Sequence, residues 1–441
     1  MKCTICPFIN GQRYRAIDTE TLNSSSSLSR WLAWRPGAYL RASGGLFGWL
    51  MLRAAAQAAM VVLLARLLGV DGYGLFVTAQ AVSGFFSPIA GLGLALLLLR
   101  DGACAPAELP RHLGMALALW WPAVLVCALA ATALLAWSLP SRVPLTALAA
   151  FALADVGTTS FVELAARVEQ ARHRVGAFGA ILTGLMLARL IGLLLYAAAG
   201  QASAVGCLWV YAMASALYAL ALARRMVAQH APVWPKKRQW AMARESLPFT
   251  IGALSFRLQA EFNKPLLARA SYGQAGNFSV AQRVIDLASL PLQALQEALW
   301  PRLYAGRHSA RQLWLVCAVL CAAALLGGGV LVLLAPWVAR LLGAGFEDTA
   351  HLVMLLALLP ALQLVRNLLN AVVAQQRRQS VLTAIYLMSG VAGILFNLWL
   401  VPAAGLQGAA AASYLVEAVL LALLVAVILL RSKWHLWGKA T

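Results

Sequence analysis

Charge is scarce in this chain, and acid is scarcer still. Only 11% of the 441 residues are charged, with 35 Lys and Arg against 15 Asp and Glu. A soluble domain carries roughly 25% charged residues. With 62% hydrophobic residues, the deficit excludes an ordinary soluble domain and places the chain in the membrane class. Motifs are missing too. No GxxxxGK[ST] run is present, so nothing here cradles ATP phosphates. Neither HExxH nor GxSxG occurs, and no long polar loop could carry an enzyme active site. The six histidines, at 112, 173, 230, 308, 351 and 435, fall mostly in loops. Seven cysteines make no framework. Cys104, Cys127, Cys207, Cys317 and Cys321 sit in or beside apolar segments, where cysteine acts as a small hydrophobe. Cys3 and Cys6 form a CxxC without the second ligand pair that zinc needs. No metal or cofactor is implied. The net charge of +20 has no domain-sized soluble face to present to nucleic acid, so no nucleic-acid partner is expected.

What is present is a succession of apolar runs. A span takes about twenty mainly apolar residues. Twelve candidates lie near 44–67, 73–99, 114–138, 143–166, 176–198, 203–223, 247–270, 274–300, 312–336, 349–373, 380–400 and 407–430. The fourth, seventh and eighth are polar enough to escape a hydropathy window. Charge placement supports them. The N-terminal tail and the even-numbered loops hold about 22 Lys and Arg, the odd-numbered loops about four, and the C-terminal tail three more. By the positive-inside rule, both termini and all even loops are cytoplasmic. That topology implies a multi-pass membrane protein with both termini on the cytoplasmic side. The first forty residues, with "NSSSS", lack the apolar core of a signal peptide and read as a tail. The tail ends in the interfacial stretch "LSRWLAWRPGAYLR". Trp137, Trp300, Trp314, Trp337 and Trp399 fall near span ends, as an aromatic belt would.

The chain also repeats itself. "GLFVTAQAV" from Gly74 and "GNFSVAQRV" from Gly276 agree at five of nine positions, 202 residues apart. Gly74 opens span 2 and Gly276 opens span 8. The expectation is an all-α polytopic membrane protein, with twelve transmembrane helices in two six-helix lobes related by a pseudo-twofold along the membrane normal. The lobes are 42–223 and 247–430, with a basic cytoplasmic linker at 224–246 and tails at 1–41 and 431–441. Parallel repeats of this kind are a transporter architecture, with the substrate site between the halves.

An ionised side chain at mid-bilayer costs about 2.5–3.5 kcal/mol on insertion scales, so it faces the bundle interior or water. Span 7 places Arg257, Glu261 and Lys264 on one helix face. Span 8 places Arg283, Asp286, Gln293 and Glu297 on one stripe. Span 10 carries Gln363, Arg366, Asn367 and Asn370, and span 1 carries Arg53 and Gln57. Span 4 carries Asp155, Thr159 and Glu163, and span 5 carries Arg189. Two uses are open for each. Arg257–Glu261 or Asp286–Arg283 could be internal ion pairs, and polar pairs act as interhelical glue. As a set, the excess of cations suits an anionic substrate, because arginine forks match phosphate oxygens. Arg53, Arg257, Lys264, Arg283 and Arg366 are the diphosphate-binding candidates. Asp155, Glu163, Glu261, Asp286 and Glu297 are candidates for ion coupling. Pro88 and Pro291, near-equivalent in the repeat, are candidate hinges or static bends.

These phrases resemble a known family. "ARLLGVDGYGLF", "GLGLALLLLR" and the block from "LPFTIGALSF" to "VAQRVIDLASLPLQALQEALWPRLY" are similar, in order and spacing, to the oligosaccharide-lipid flippases of O-antigen and polysaccharide biosynthesis (Wzx-type). That family lies in the multidrug, oligosaccharidyl-lipid and polysaccharide exporter superfamily. The resemblance covers about residues 42–430. It implies a V-shaped pair of six-helix lobes around a central cavity. It also implies movement of polyprenyl-diphosphate-linked oligosaccharide from the cytoplasmic to the periplasmic leaflet, by alternating access coupled to an ion gradient. Arg283, Lys264 and Arg53 match basic positions of the family. Asn263 and Ala90 depart from it, standing where an acid is common. The implied partners are the lipid-linked glycan, membrane lipids and other proteins of the assembly pathway. The alternatives are a multidrug exporter of the same superfamily and a membrane polysaccharide polymerase or ligase.

Overall fold

The computed structural model describes residues 38–139, 143–235, 240–305, 310–375 and 379–437. The CxxC, most of the N-terminal tail, part of the basic linker and the chain's last residues lie outside them. Every regular element among the described residues is helical. In chain order they are α1 (Ala38–Gly91), α2 (Leu94–Cys104), a 3₁₀ turn (Pro106–Glu108), α3 (Leu109–Ser138), α4 (Leu145–Ala171), α5 (Val175–Ala198) and α6 (Ala204–His230). The second half has α7 (Trp240–Glu261), α8 (Asn263–Ala270), α9 (Tyr272–Ala305), α10 (Ala310–Leu342), α11 (Glu347–Leu356), α12 (Leu359–Gln375) and α13 (Gln379–Trp437).

Eight stretches among the described residues are long and apolar enough to cross a membrane. Two of them are too long for one crossing. Phe47–Cys104 contains Gly69 at φ 67° and Val381–Leu430 contains Gly405 at φ 53°, so each is two spans meeting at a glycine. A left-handed φ is open to glycine without the Cβ penalty. The expected fourth span qualifies, as α4, whereas the seventh, α7–α8, and the described part of the eighth, α9, do not. They are the polar segments. With them the twelve expected segments are all helical.

Prolines cut the helices where a backbone partner is removed. Pro265 has no N–H for the carbonyl of Glu261, and the break between α7 and α8 falls there. Pro360 does the same to Leu356, the last residue of α11. At Pro88 the helix continues, and the chain breaks four residues on, at Leu92 (φ 47°) and Gly93 (φ 62°). Position 291 lies within the range of α9, and its side chain is outside the described residues.

Packing divides the molecule. One pair of apolar clusters is built mainly from α1–α6, around Phe76, Phe151 and Tyr211 and around Leu98, Leu113 and Leu164. A second pair is built from α8–α13, around Phe278 and Leu352 and around Ile385 and Leu420. The outside is apolar as well: Leu129, Leu195, Leu326 and Leu333 are all more than two-thirds exposed. That inversion is what a bilayer allows. Trp137, Trp337 and Trp399 are also exposed, at helix ends or beside them.

The lobes meet most extensively along α1 and α9. The repeated glycines make this contact. A Cβ on Gly74 would overlap the Tyr272 carbonyl, and one on Gly276 would come within 2.7 Å of the Val70 carbonyl oxygen. Backbone therefore lies on backbone. The same end carries Arg66 Nε donating to the Leu341 carbonyl at 2.8 Å, Tyr73 edge-on to Phe346, and Arg269 over the Trp137 ring at 4.7 Å. At the opposite end Gly93 packs on Ser246 and Thr250, and Arg100 pairs with Glu245 at 3.2 Å.

Candidate functional site

The break at Pro265 positions the first group of charges. Glu261 ends α7 and Lys264 lies in the first turn of α8, both buried, and they form an ion pair. The interruption does not turn the chain, since Phe262 keeps helical dihedrals. Glu261 also lies 3.9 Å from Arg257, one turn back, and 3.9 Å from Arg283 on α9. One carboxylate thus serves three cations. The carbonyl of Ala260, beside the break, accepts a hydrogen bond from Gln282 Nε2 at 2.8 Å. Among the described residues, Asn263 Oδ1 and Gln282 Oε1 are buried without a hydrogen-bond partner.

The cations are graded in exposure. Lys264 is 2% exposed, Arg283 24% and Arg257 41%. Arg53 approaches from the other lobe: the charges of Arg257, Arg283 and Glu163 all reach it. Asp286 is exposed, with Arg283 and Lys264 as its nearest cationic influences. Glu163 is exposed and 3.9 Å from Arg167. Four of the five expected cations therefore share one electrostatic neighbourhood between the lobes. Its formal sum is positive, with Arg53, Arg257, Lys264 and Arg283 against Glu261, Asp286 and Glu163.

The fifth cation belongs elsewhere. Arg366 on α12 donates to Glu417 Oε1 on α13 at 2.6 Å, inside the second lobe. Asn370, one turn on, donates to the Tyr386 hydroxyl at 2.7 Å. Glu417 was not among the expected residues, although a lone acid in the apolar run "SYLVEAVLLALL" is a signal in itself.

Asp155 sits in a closed network of the first lobe. It accepts from Arg189 at 3.1 Å and from the Tyr211 hydroxyl at 2.9 Å. Arg189 also donates to Ser215, Thr158 and Thr159, and its guanidinium lies 4.2 Å from the Tyr211 ring centre. Gln80 Nε2 donates to the same hydroxyl at 3.2 Å. A further buried pair, His230 with Glu169 at 2.9 Å, ties the ends of α4 and α6, with Arg172 on the other ring nitrogen at 3.0 Å. The Glu297 side chain lies outside the described residues.

Long apolar helices with exposed apolar faces mark a multi-pass membrane protein. A family model described as "Polysaccharide biosynthesis protein" matches residues 46–305. The chain belongs to that family. A search of curated proteins finds no match by sequence. Solved structures show the same fold. The lipid II flippase MurJ in an inward closed conformation aligns with TM-score 0.69 and 12% identity, over 88% of this chain and 87% of that one. The MATE multidrug transporter DinF-BH aligns with TM-score 0.58 and 14% identity, over 88% and 93%. A transporter of the MOP superfamily from Pyrococcus furiosus aligns with TM-score 0.58 and 12% identity, over 95% and 98%.

Proposed function

We propose that this protein is a flippase that carries a polyprenyl-diphosphate-linked oligosaccharide from the cytoplasmic to the periplasmic leaflet during surface polysaccharide assembly. The observation that supports it is the single carboxylate of Glu261 set against Lys264, Arg257 and Arg283, with Arg53 facing them from the other lobe. Such a group is under-neutralised. A diphosphate entering between the lobes supplies the missing negative charge, and arginine forks take its oxygens in pairs. Arg283 and Arg257, the more exposed, meet it first. Lys264 reaches it when Glu261 yields. Arg366 joins only if Glu417 releases it.

Alternating access follows from the two ends of the lobe contact. The Gly74–Gly276 end parts when the Gly93–Ser246 end closes, and the reverse. Glu261, Asp286 and Glu163 face or border the cations and serve as the ion-coupling candidates. Asp155 is held by Arg189 and couples only if that network opens. The membrane is a bacterial inner membrane with both termini cytoplasmic. An exporter of organic cations fits poorly, because a cationic cavity repels its substrate.

The test is translocation in liposomes. A fluorescent polyprenyl-diphosphate sugar is compared with a polyprenyl sugar lacking phosphate and with a cationic dye. Movement of the diphosphate lipid alone supports the proposal. Movement of the dye alone moves the exporter reading ahead. Catalytic joining of repeat units would mark a polymerase.

A further inference from the structure

A second cavity lies on the far side of the first lobe. It is a half-open pocket bounded by α3, α4, α6 and the segment 231–235 that follows α6, with a volume of about 190 Å³. Its lining is wholly apolar, with Trp120, Trp121, Phe161, Met226 and Trp234 the largest contributors. The cavity is built, not left over. Segment 231–235 leaves α6 through Ala231 at φ 41° and is pinned by Val233 N–H donating to the Pro110 carbonyl at 3.0 Å. It crosses α3 at Gly114, where any Cβ would overlap the Val233 carbonyl. The Trp120 indole N–H is spent on Ser160 Oγ at 2.9 Å, so its ring offers the cavity only carbon.

Depth and direction limit the occupant. Leu113 lies one turn into α3, and Val227 lies in the last turn of α6. At 1.5 Å rise per residue, the lining from Leu113 to Trp121 runs roughly 12 Å along α3, within one leaflet. A cavity without polar lining holds no ordered water. Phe161, which lines it, is two residues from Glu163, which borders the central cations. Two residues are about 200° apart on a helix, so the two sites open on opposite faces of α4. An isoprenoid whose diphosphate sits between the lobes cannot place its chain here. The surrounding charge is positive. Arg224, one turn before lining residue Val227, is exposed, and among the described residues no acid pairs with it.

We infer that this cavity is a binding site for one acyl chain of an anionic phospholipid, taken from the leaflet on the side of the basic loops, with its phosphate held by Arg224. Basic clusters at the membrane surface recognise anionic headgroups. The site is separate from the transport cavity and does not depend on what is transported.

The full-length protein, purified in detergent, is incubated with phosphatidylglycerol or phosphatidylcholine and examined by native mass spectrometry. Wild type should retain one phosphatidylglycerol at least about fivefold better than phosphatidylcholine. The variant Arg224→Gln, at an exposed position that spares the core, should erase that preference. Ala223→Phe, which fills the cavity, should abolish retention of both lipids at an unchanged melting temperature. Equal retention of the two lipids by wild type, or none, overturns the inference. Displacement of the phosphatidylglycerol by a polyprenyl diphosphate overturns it too, by making the cavity a substrate subsite.

Discussion

Gln80 and Gln282 are equivalent positions of the repeat, and each anchors the polar centre of its lobe. Gln80 donates to the Tyr211 hydroxyl, which in turn donates to Asp155, and Asp155 is paired with Arg189. Gln282 donates to the Ala260 carbonyl, beside Glu261. From there the two centres diverge. The first is one acid and one arginine, each with several partners, and both are buried. The second has three cations on Glu261, two of them partly exposed, and Asp286 beside them. Balanced and closed charge holds a lobe together. Under the proposed function, the unbalanced and accessible charge waits for a ligand. Duplication supplied the same scaffold twice, and Arg283, which stands where the first copy has Ala81, is the visible difference.

The largest effect should come from unbalancing the closed centre. Asp155→Ala strands a buried Arg189, and breaking a buried pair costs roughly 3–5 kcal/mol. Thermal unfolding in detergent should drop steeply, and Asp155→Leu combined with Arg189→Leu should recover most of the loss. If the single variant melts like wild type, the first centre is not structural. The second contrast is Arg283→Gln. Arg257 and Lys264 still hold Glu261, so melting should change little, while diphosphate-lipid transport should fall by about tenfold or more. A variant that unfolds rather than merely failing to transport would make the two centres alike. A smaller effect is expected at the shared glycine contact. Gly74→Val cannot keep backbone on backbone against Tyr272, so the lobes should part at that end. A reporter cysteine in a Ser279→Cys background, buried in the parent, should label faster. Unchanged labelling would remove Gly74 from any part in lobe movement. The smallest effect should come from Arg366→Lys, which keeps a charge for Glu417 and should alter transport by about twofold at most.

Much of this was legible in the sequence. The twelve helical segments follow from apolar runs and basic loops. The in-phase echo pointed to a contact that the structure makes with the same two glycines. The stripe Arg257, Glu261, Lys264 was readable because helical spacing places such residues on one face, and the fold brings Arg283 to it. Other features were hidden for stated reasons. Asp155 and Arg189 lie on different spans, so their pairing needed the fold. Glu417 stands out as a lone acid in an apolar run, but its pairing with Arg366, 51 positions away, needed the fold. Pro265 places the break on which Glu261 and Lys264 sit, and nothing in the surrounding sequence distinguishes it from the prolines that helices tolerate. Pro88 was the more conspicuous proline, yet the helix runs through it and breaks at Leu92–Gly93. The apolar cavity under segment 231–235 has no sequence signature, because it depends on a glycine that only a crossing segment makes necessary.

The central claim is that the unbalanced centre is where an anionic lipid binds. The most direct measurement is equilibrium binding of a polyprenyl-diphosphate sugar to wild type and to the double variant Lys264→Gln with Arg283→Gln, with melting followed in parallel. The account predicts a loss of affinity of about a hundredfold, on the order of tenfold for each charged partner, at little cost in stability. Affinity equal to that of wild type, in a folded double variant, would contradict it.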